Sequence, residues 1–111
     1  MSQGELTAVL GAGSQFEGRL VFEGIIRIDG LFKGEVFTRD TLIVGERSKV
    51  YADVDADVVI IGGYFEGSIT ATSRVEIQAS GCVRGKVAAP VIRIEEGGTF
   101  EGTTQMLSDA T

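Results

Sequence analysis

The sequence predicts an all-β fold: a single right-handed parallel β-helix (β-solenoid) of about six coils, with little or no helix. Three observations carry the prediction. A five-residue phrase of the form large apolar–x–small–x–aliphatic recurs six times along the 111 residues. Each copy is preceded by two aliphatics separated by one residue. The largest variation in length falls in glycine-rich joints between the pair and the phrase.

In chain order, the first coil holds the pair Ala8 and Leu10 and the phrase Phe16-Glu17-Gly18-Arg19-Leu20. The second holds Ile26 and Ile28, then Phe32-Lys33-Gly34-Glu35-Val36. The third holds Leu42 and Val44, then Val50-Tyr51-Ala52-Asp53-Val54, where Ala replaces the glycine. The fourth holds Val59 and Ile61, then Phe65-Glu66-Gly67-Ser68-Ile69. The fifth holds Val75 and Ile77, then Val83-Arg84-Gly85-Lys86-Val87. The sixth holds Ile92 and Ile94, then Phe100-Glu101-Gly102-Thr103-Thr104, which loses the last aliphatic.

The phrases start 16, 18, 15, 18 and 17 residues apart, and both members of the pairs step by 18, 16, 17, 16 and 17. Strict alternation puts both residues of a pair on one face of a strand. Within the phrase the first, third and fifth residues point inward by the same rule, and the second and fourth point outward. Of the twelve outward positions eleven are polar or charged, the exception being Tyr51, which is amphipathic. Four apolar columns result, and equivalent residues of successive coils are expected to stack. The joints between pair and phrase span 6, 4, 6, 4, 6 and 6 residues and contain Gly11, Gly13, Gly30, Gly45, Gly62, Gly63, Gly81, Gly97 and Gly98, which are expected to supply positive φ at corners.

No segment keeps a 3.6-residue period, and glycine recurs too often for helix. One strand-turn unit of this length cannot bury its own apolar face, but coils stacked at roughly 4.8 Å can. Left-handed solenoids use a six-residue repeat. Val44 to Ala56 imitates two turns of it, but coils of 16 and 17 residues are not multiples of six, so the right-handed coil is favoured. The expected organisation is a short N-terminal tail over residues 1–7, a β-helix core over 8–104 and a short C-terminal tail over 105–111.

Composition narrows the function. The net charge is −6 with no cluster of Lys or Arg, so nucleic acid is not an expected partner and anionic membrane surfaces are repelled. Cys82 is the single cysteine, so no internal disulfide forms and a reduced compartment is expected. No apolar run approaches the roughly 18 residues of a membrane span, and the N-terminus lacks the pattern of a secretory signal. The sequence contains no His, which removes the base of solenoid acyltransferases and the metal ligands of solenoid carbonic anhydrases. The carboxylates are scattered rather than gathered in a cleft. No enzyme and no cofactor are expected. The acidic run Asp53-Val54-Asp55-Ala56-Asp57 reads as a solvated corner rather than a calcium site, since EF-hand spacing and a closing Glu are missing. Cys82 without a neighbouring base reads as an inert thiol. Outward Ile43 and Ile60 are 17 residues apart and can adjoin as a small lateral patch.

The ends carry the functional signal. A solenoid exposes a strand edge and an apolar cross-section at each end, and monomeric solenoids cover both with polar caps. The tails expected here leave no room for caps. Val9, Leu10 and Phe16 stand at one end, and Phe100, Met106 and Leu107 at the other. These six residues are the expected polymer interface, with a second copy of the chain as the partner.

Paired aliphatics followed by a small joint and [Phe/Val]-x-Gly-x-[Val/Ile], clearest in Ile26 to Val36 and in Phe100-Glu101-Gly102, resemble the bactofilin family over about Val9 to Met106. The resemblance implies a bacterial, cytoplasmic cytoskeletal protein with a right-handed triangular β-helix. It implies polymerisation without nucleotide into non-polar filaments, in which like ends meet and the C-terminal coil around Phe100 is essential. It also implies a scaffold for cell shape or cell-wall synthesis at the inner face of the cell membrane, with cell-wall or morphogenesis proteins as partners. The membrane-binding tail of family members has no counterpart in Met1 to Leu6, which carries neither Phe nor Lys. The alternative is a non-polymerising solenoid that binds a partner through a lateral face.

Overall fold

The computed structural model describes residues 6–10 and 15–106, and within them it contains strands and no helix. Ten strands follow in chain order: β1 (Leu6–Leu10), β2 (Gln15–Phe22), β3 (Ile25–Ile28), β4 (Leu31–Thr38), β5 (Thr41–Val44), β6 (Lys49–Ile61), β7 (Tyr64–Ile77), β8 (Cys82–Ala89), β9 (Ile92–Ile94) and β10 (Thr99–Met106). All pairings are parallel, and each strand pairs with its equivalent one coil away. The described ladder reaches Leu6 and Met106, outside the expected core bounds of 8–104.

The four apolar columns are in register throughout. Ile26 pairs with Leu42, Leu42 with Val59, Val59 with Val75 and Val75 with Ile92. Phe16, Phe32, Val50, Phe65, Val83 and Phe100 form an unbroken line, as do Leu20, Val36, Val54, Ile69, Val87 and Thr104. In the four inner coils every column member is 0–3% exposed. Each such side chain contributes about 1.5–3 kcal/mol relative to leaving it in water. Ile92 and Ile94 keep their register as the last members of two columns but are not enclosed. Ile92 is only half-buried and Ile94 is 47% exposed, because β9 belongs to the last coil and nothing described stacks on its outer side.

A fifth inward column lies two residues beyond the fourth: Thr38, Ala56, Ala71 and Ala89, each at most 2% exposed. Thr38 Oγ1 donates to the Gly24 carbonyl at 2.9 Å and accepts from the Asp40 N–H at 3.2 Å, which satisfies its buried hydroxyl.

The joints explain the alternating lengths. In the three six-residue joints described an extra β-turn closes, with Ser48, Gly81 and Gly98 donating N–H to the carbonyls of Gly45, Gln78 and Glu95 at 3.1, 2.8 and 2.8 Å. The four-residue joints after Ile28 and Ile61 run on without one.

Positive φ sits elsewhere than expected. Among the joint glycines described, only Gly97 adopts it; Gly18, Gly34, Gly67, Gly85 and Gly102 of the phrase do, at +128° to +141°. A Cβ on Gly34, Gly67, Gly85 or Gly102 would lie within 2.0 Å of the carbonyl oxygen of the preceding coil. The phrase glycine is therefore not an inward spacer. It marks a bend within the strand at which the backbone of the neighbouring coil leaves no room for a side chain. Several joint glycines are needed for close approach instead: a Cβ on Gly63 would meet the Gly45 carbonyl at 2.2 Å. Gly11 and Gly13 lie outside the described residues.

Candidate functional site: the two open ends

Each end of the stack carries one strand layer paired on one side only. Among the described residues β1 pairs only β3, β2 only β4, β9 only β7 and β10 only β8. The eight residues of β2 and the eight of β10 therefore present backbone N–H and C=O groups along the solenoid axis.

The side chains at the N-terminal end are Phe16 and Leu20, both half-buried. The Phe16 ring stacks on Phe32 with centroids 5.2 Å apart and planes 8° from parallel. Among the described residues its outer face has no neighbour of the kind that covers Phe32, which is 0% exposed. At the C-terminal end Phe100 is half-buried over Val83, and Ile92 and Ile94 extend the other apolar surface. Of the six residues expected at the interface, Phe16 and Phe100 are thus placed at opposite ends with their side chains partly uncovered. Val9 and Leu10 lie in β1 and Met106 in β10, but their side chains are outside the described set, and Leu107 lies outside the described residues. Ile92 and Ile94 were missed as end residues; their place as the last members of their columns was the signal.

The outer columns are polar, and one of them largely alternates in charge along the axis. Glu17, Lys33, Tyr51, Glu66, Arg84 and Glu101 stack in one line. Arg84 Nε lies 3.3 Å from Glu101 and Arg19 Nε 3.6 Å from Glu35. Exposed pairs of this kind fix side-chain placement more than they stabilise. Tyr64 donates its hydroxyl hydrogen to Glu66 Oε1 at 2.7 Å, which raises its pKa.

The other candidates resolve as follows. Ile43 and Ile60 do adjoin, but both are half-buried. Ion pairs stand to either side of them, Arg27 with Asp29 at 2.8 Å and Arg74 with Glu76 at 2.6 Å. Asp53 and Asp55 are exposed, whereas Asp57 Oδ1 accepts hydrogen bonds from Ser73 at 2.6 Å and from Thr72. These bonds hold its carboxyl below the usual range. Among the described residues no group of three or more His, Cys, Asp or Glu side chains is placed to hold a metal ion. Cys82 is half-buried and free.

This geometry is similar to that of known proteins. The family profile "Bactofilin: Polymer-forming cytoskeletal" matches residues 8–105. Bactofilin BacO of Myxococcus xanthus (strain DK1622) is 31% identical over 98 residues, 88% of this chain and 78% of that protein. Bactofilin BacP of the same organism is 33% identical over 98 residues, which is 41% of its length. Among solved structures, double helical filaments of Thermus thermophilus bactofilin, determined by cryo-EM, match with a TM-score of 0.81 and 28% identity, covering 88% of this chain and 97% of that one. The solid-state NMR structure of the cytoskeletal bactofilin BacA matches with a TM-score of 0.81 and 31% identity, over 91% and 97%.

Proposed function

The chain belongs to the bactofilin family of polymer-forming cytoskeletal proteins, and on that premise we propose that it assembles end to end into filaments by pairing the free strand edges and apolar columns of its two open ends with those of further copies. The observation that carries this is the contrast between inner and outer rungs. Column members 0–3% exposed in the inner coils become half-exposed at Phe16, Leu20, Ile92, Ile94 and Phe100. A second copy at either end covers that surface and satisfies the free backbone edge in one step.

Assembly of this kind needs no nucleotide, because its driving groups are aliphatic side chains and backbone amides. Like ends meeting like ends is the favoured arrangement. Stacking head to tail would extend the outer column from Glu101 directly onto Glu17, two carboxylates in adjacent rungs. The product is a structural scaffold, suited to holding cell-shape or cell-wall proteins in place. Sideways pairing of two filaments would be the counterpart of the double helical filaments of the Thermus thermophilus relative.

The test is Phe100→Arg, examined by negative-stain microscopy and sedimentation without added nucleotide or metal. Wild type forms filaments, and the variant stays in small species because an unpaired charge would be enclosed at the junction. Ordinary filaments from the variant remove the C-terminal contact. A wild type that stays one compact species at every concentration removes polymerisation and leaves the lateral binding scaffold.

A further inference from the structure

Among the described residues, two exposed apolar side chains outside the end columns form a pair on the flank. Val21 of β2 is 62% exposed and Phe37 of β4 is 41% exposed, and the two are direct neighbours across the ladder. They head a column that continues as Asp55, Thr70, Ala88 and Gln105, so the apolar part is confined to the N-terminal half. Phe37 also forms one wall of a recess of about 400 Å³, whose other walls include Arg39, Asp55, Asp57 and Thr72. Arg39 is exposed and makes no ion pair among the described residues.

We propose that this flank, Val21 and Phe37 with Arg39 and Asp55, is the surface through which two filaments of this chain pair side by side. The inference rests on the filament reading above and deepens it. Two features point to a second copy as occupant. The rim carries opposite charges, so a copy related by a two-fold axis can set each Arg39 against the acidic rim of the other while the apolar pairs meet between them. The position is also continuous with the end contact. Val21 lies on the terminal rung, which pairs on one side only among the described residues, so a flank contact adjoins the end contact. A chain with net charge −6 resists sideways approach by its own kind, so pairing should strengthen as salt screens the long-range repulsion, with a Debye length of about 8 Å at 0.15 M.

The experiment is electron microscopy of the full chain, scoring paired against single filaments over a salt series. Wild type pairs at about 0.15 M salt, where the Debye length is short. Phe37→Glu and Arg39→Glu each lower the paired fraction by at least about tenfold while filament length is unchanged. Arg39→Glu combined with Asp55→Arg restores pairing, which a merely structural loss cannot do. Ile43→Glu, on another face, leaves pairing as in wild type. Wild-type filaments that stay single at every salt concentration overturn the proposal, as do Phe37→Glu and Arg39→Glu filaments that pair normally, or loss of pairing in Ile43→Glu alone. Absence of any wild-type filament is a different result: it overturns the end-to-end reading, and this flank with it.

Discussion

Replacing Gly67 by alanine tests the physical reason for the repeated phrase. Gly67 has φ +140°, and a Cβ there would stand 2.0 Å from the Ala52 carbonyl oxygen and 3.0 Å from its carbonyl carbon. Two costs add. Holding an L-residue in positive-φ backbone costs about 1–2 kcal/mol. Forcing a methyl against the backbone of a rigid neighbouring rung costs a further 1–3 kcal/mol, about as much as overpacking a core. Gly18→Ala supplies the control. Gly18 has the same φ, +141°, but a Cβ there meets nothing closer than the Phe16 ring at 3.7 Å, so only the first cost applies. The expected destabilisation is roughly 2–5 kcal/mol for Gly67→Ala and roughly 1–2 kcal/mol for Gly18→Ala. In melting temperature that is a gap of roughly 10 °C between the two variants for a domain of this size. Both should be measured by circular dichroism in the Phe100→Arg background, since assembly raises apparent stability. Equal losses would refute the reasoning. They would mean that the strand relaxes as it does at Ala52, which fills the same position without positive φ and is 7% exposed.

Other substitutions probe separate parts of the structure. Ile77→Lys places a charge in a column position that is 0% exposed and should prevent folding, whereas Ile94→Lys, one rung outward and 47% exposed, should leave the monomer's melting temperature nearly unchanged and abolish filaments in sedimentation. Thr38→Val removes the hydroxyl that serves the Gly24 carbonyl and the Asp40 N–H, and should cost about 1–3 kcal/mol in urea unfolding. Hydrogen bonds from Ser73 and Thr72 lower the pKa of Asp57, so its contribution is present at neutral pH and is lost as pH falls through that lowered value, below the usual carboxylate range near pH 4. Asp57→Asn should therefore shift the urea midpoint at pH 7 and lose that effect in strong acid; a shift of equal size at both would show that charge is not involved.

The parts of the fold that could be read from the sequence are those written in strongly apolar residues at fixed spacing. Ile26, Leu42, Val59 and Val75 announce a column because each is aliphatic and recurs at a nearly constant interval, in step with Ile28, Val44, Ile61 and Ile77. The column of Thr38, Ala56, Ala71 and Ala89 was not read, because alanine and threonine occur on either side of a strand and give alternation no contrast. The role of the phrase glycine was misread for a related reason. Alternation says which way a side chain would point, but glycine has none, and the obstacle is the carbonyl of another coil that only the stacked structure brings near. At the ends, Phe16 and Phe100 stood out as members of an aromatic line, whereas Ile92 and Ile94 looked like every other pair until their place in the final coil was considered. Val21 and Phe37 directly follow the first and second phrases, at a position that is polar or small in the later coils and so carries no repeating signal.

Folding and assembly in this chain use the same step, the addition of one rung to another, so the two processes are coupled at the ends. In a stacked array an inner coil has two neighbours and a terminal coil one. The terminal coils should therefore open first, and the inner strands β6 and β7, each paired on both sides, last. Joining a second chain gives a terminal coil its missing neighbour. Its ordering and its capture by a partner then draw on the same free energy, and each favours the other by mass action. Amide hydrogen exchange makes this visible. On dilution below the assembly concentration, protection should fall in the strands at the junctions, β10 and β2, while β6 and β7 keep theirs. A uniform loss across all strands would mean that the chain melts as one unit, and that a filament junction adds stability to the whole particle rather than to the coil it covers.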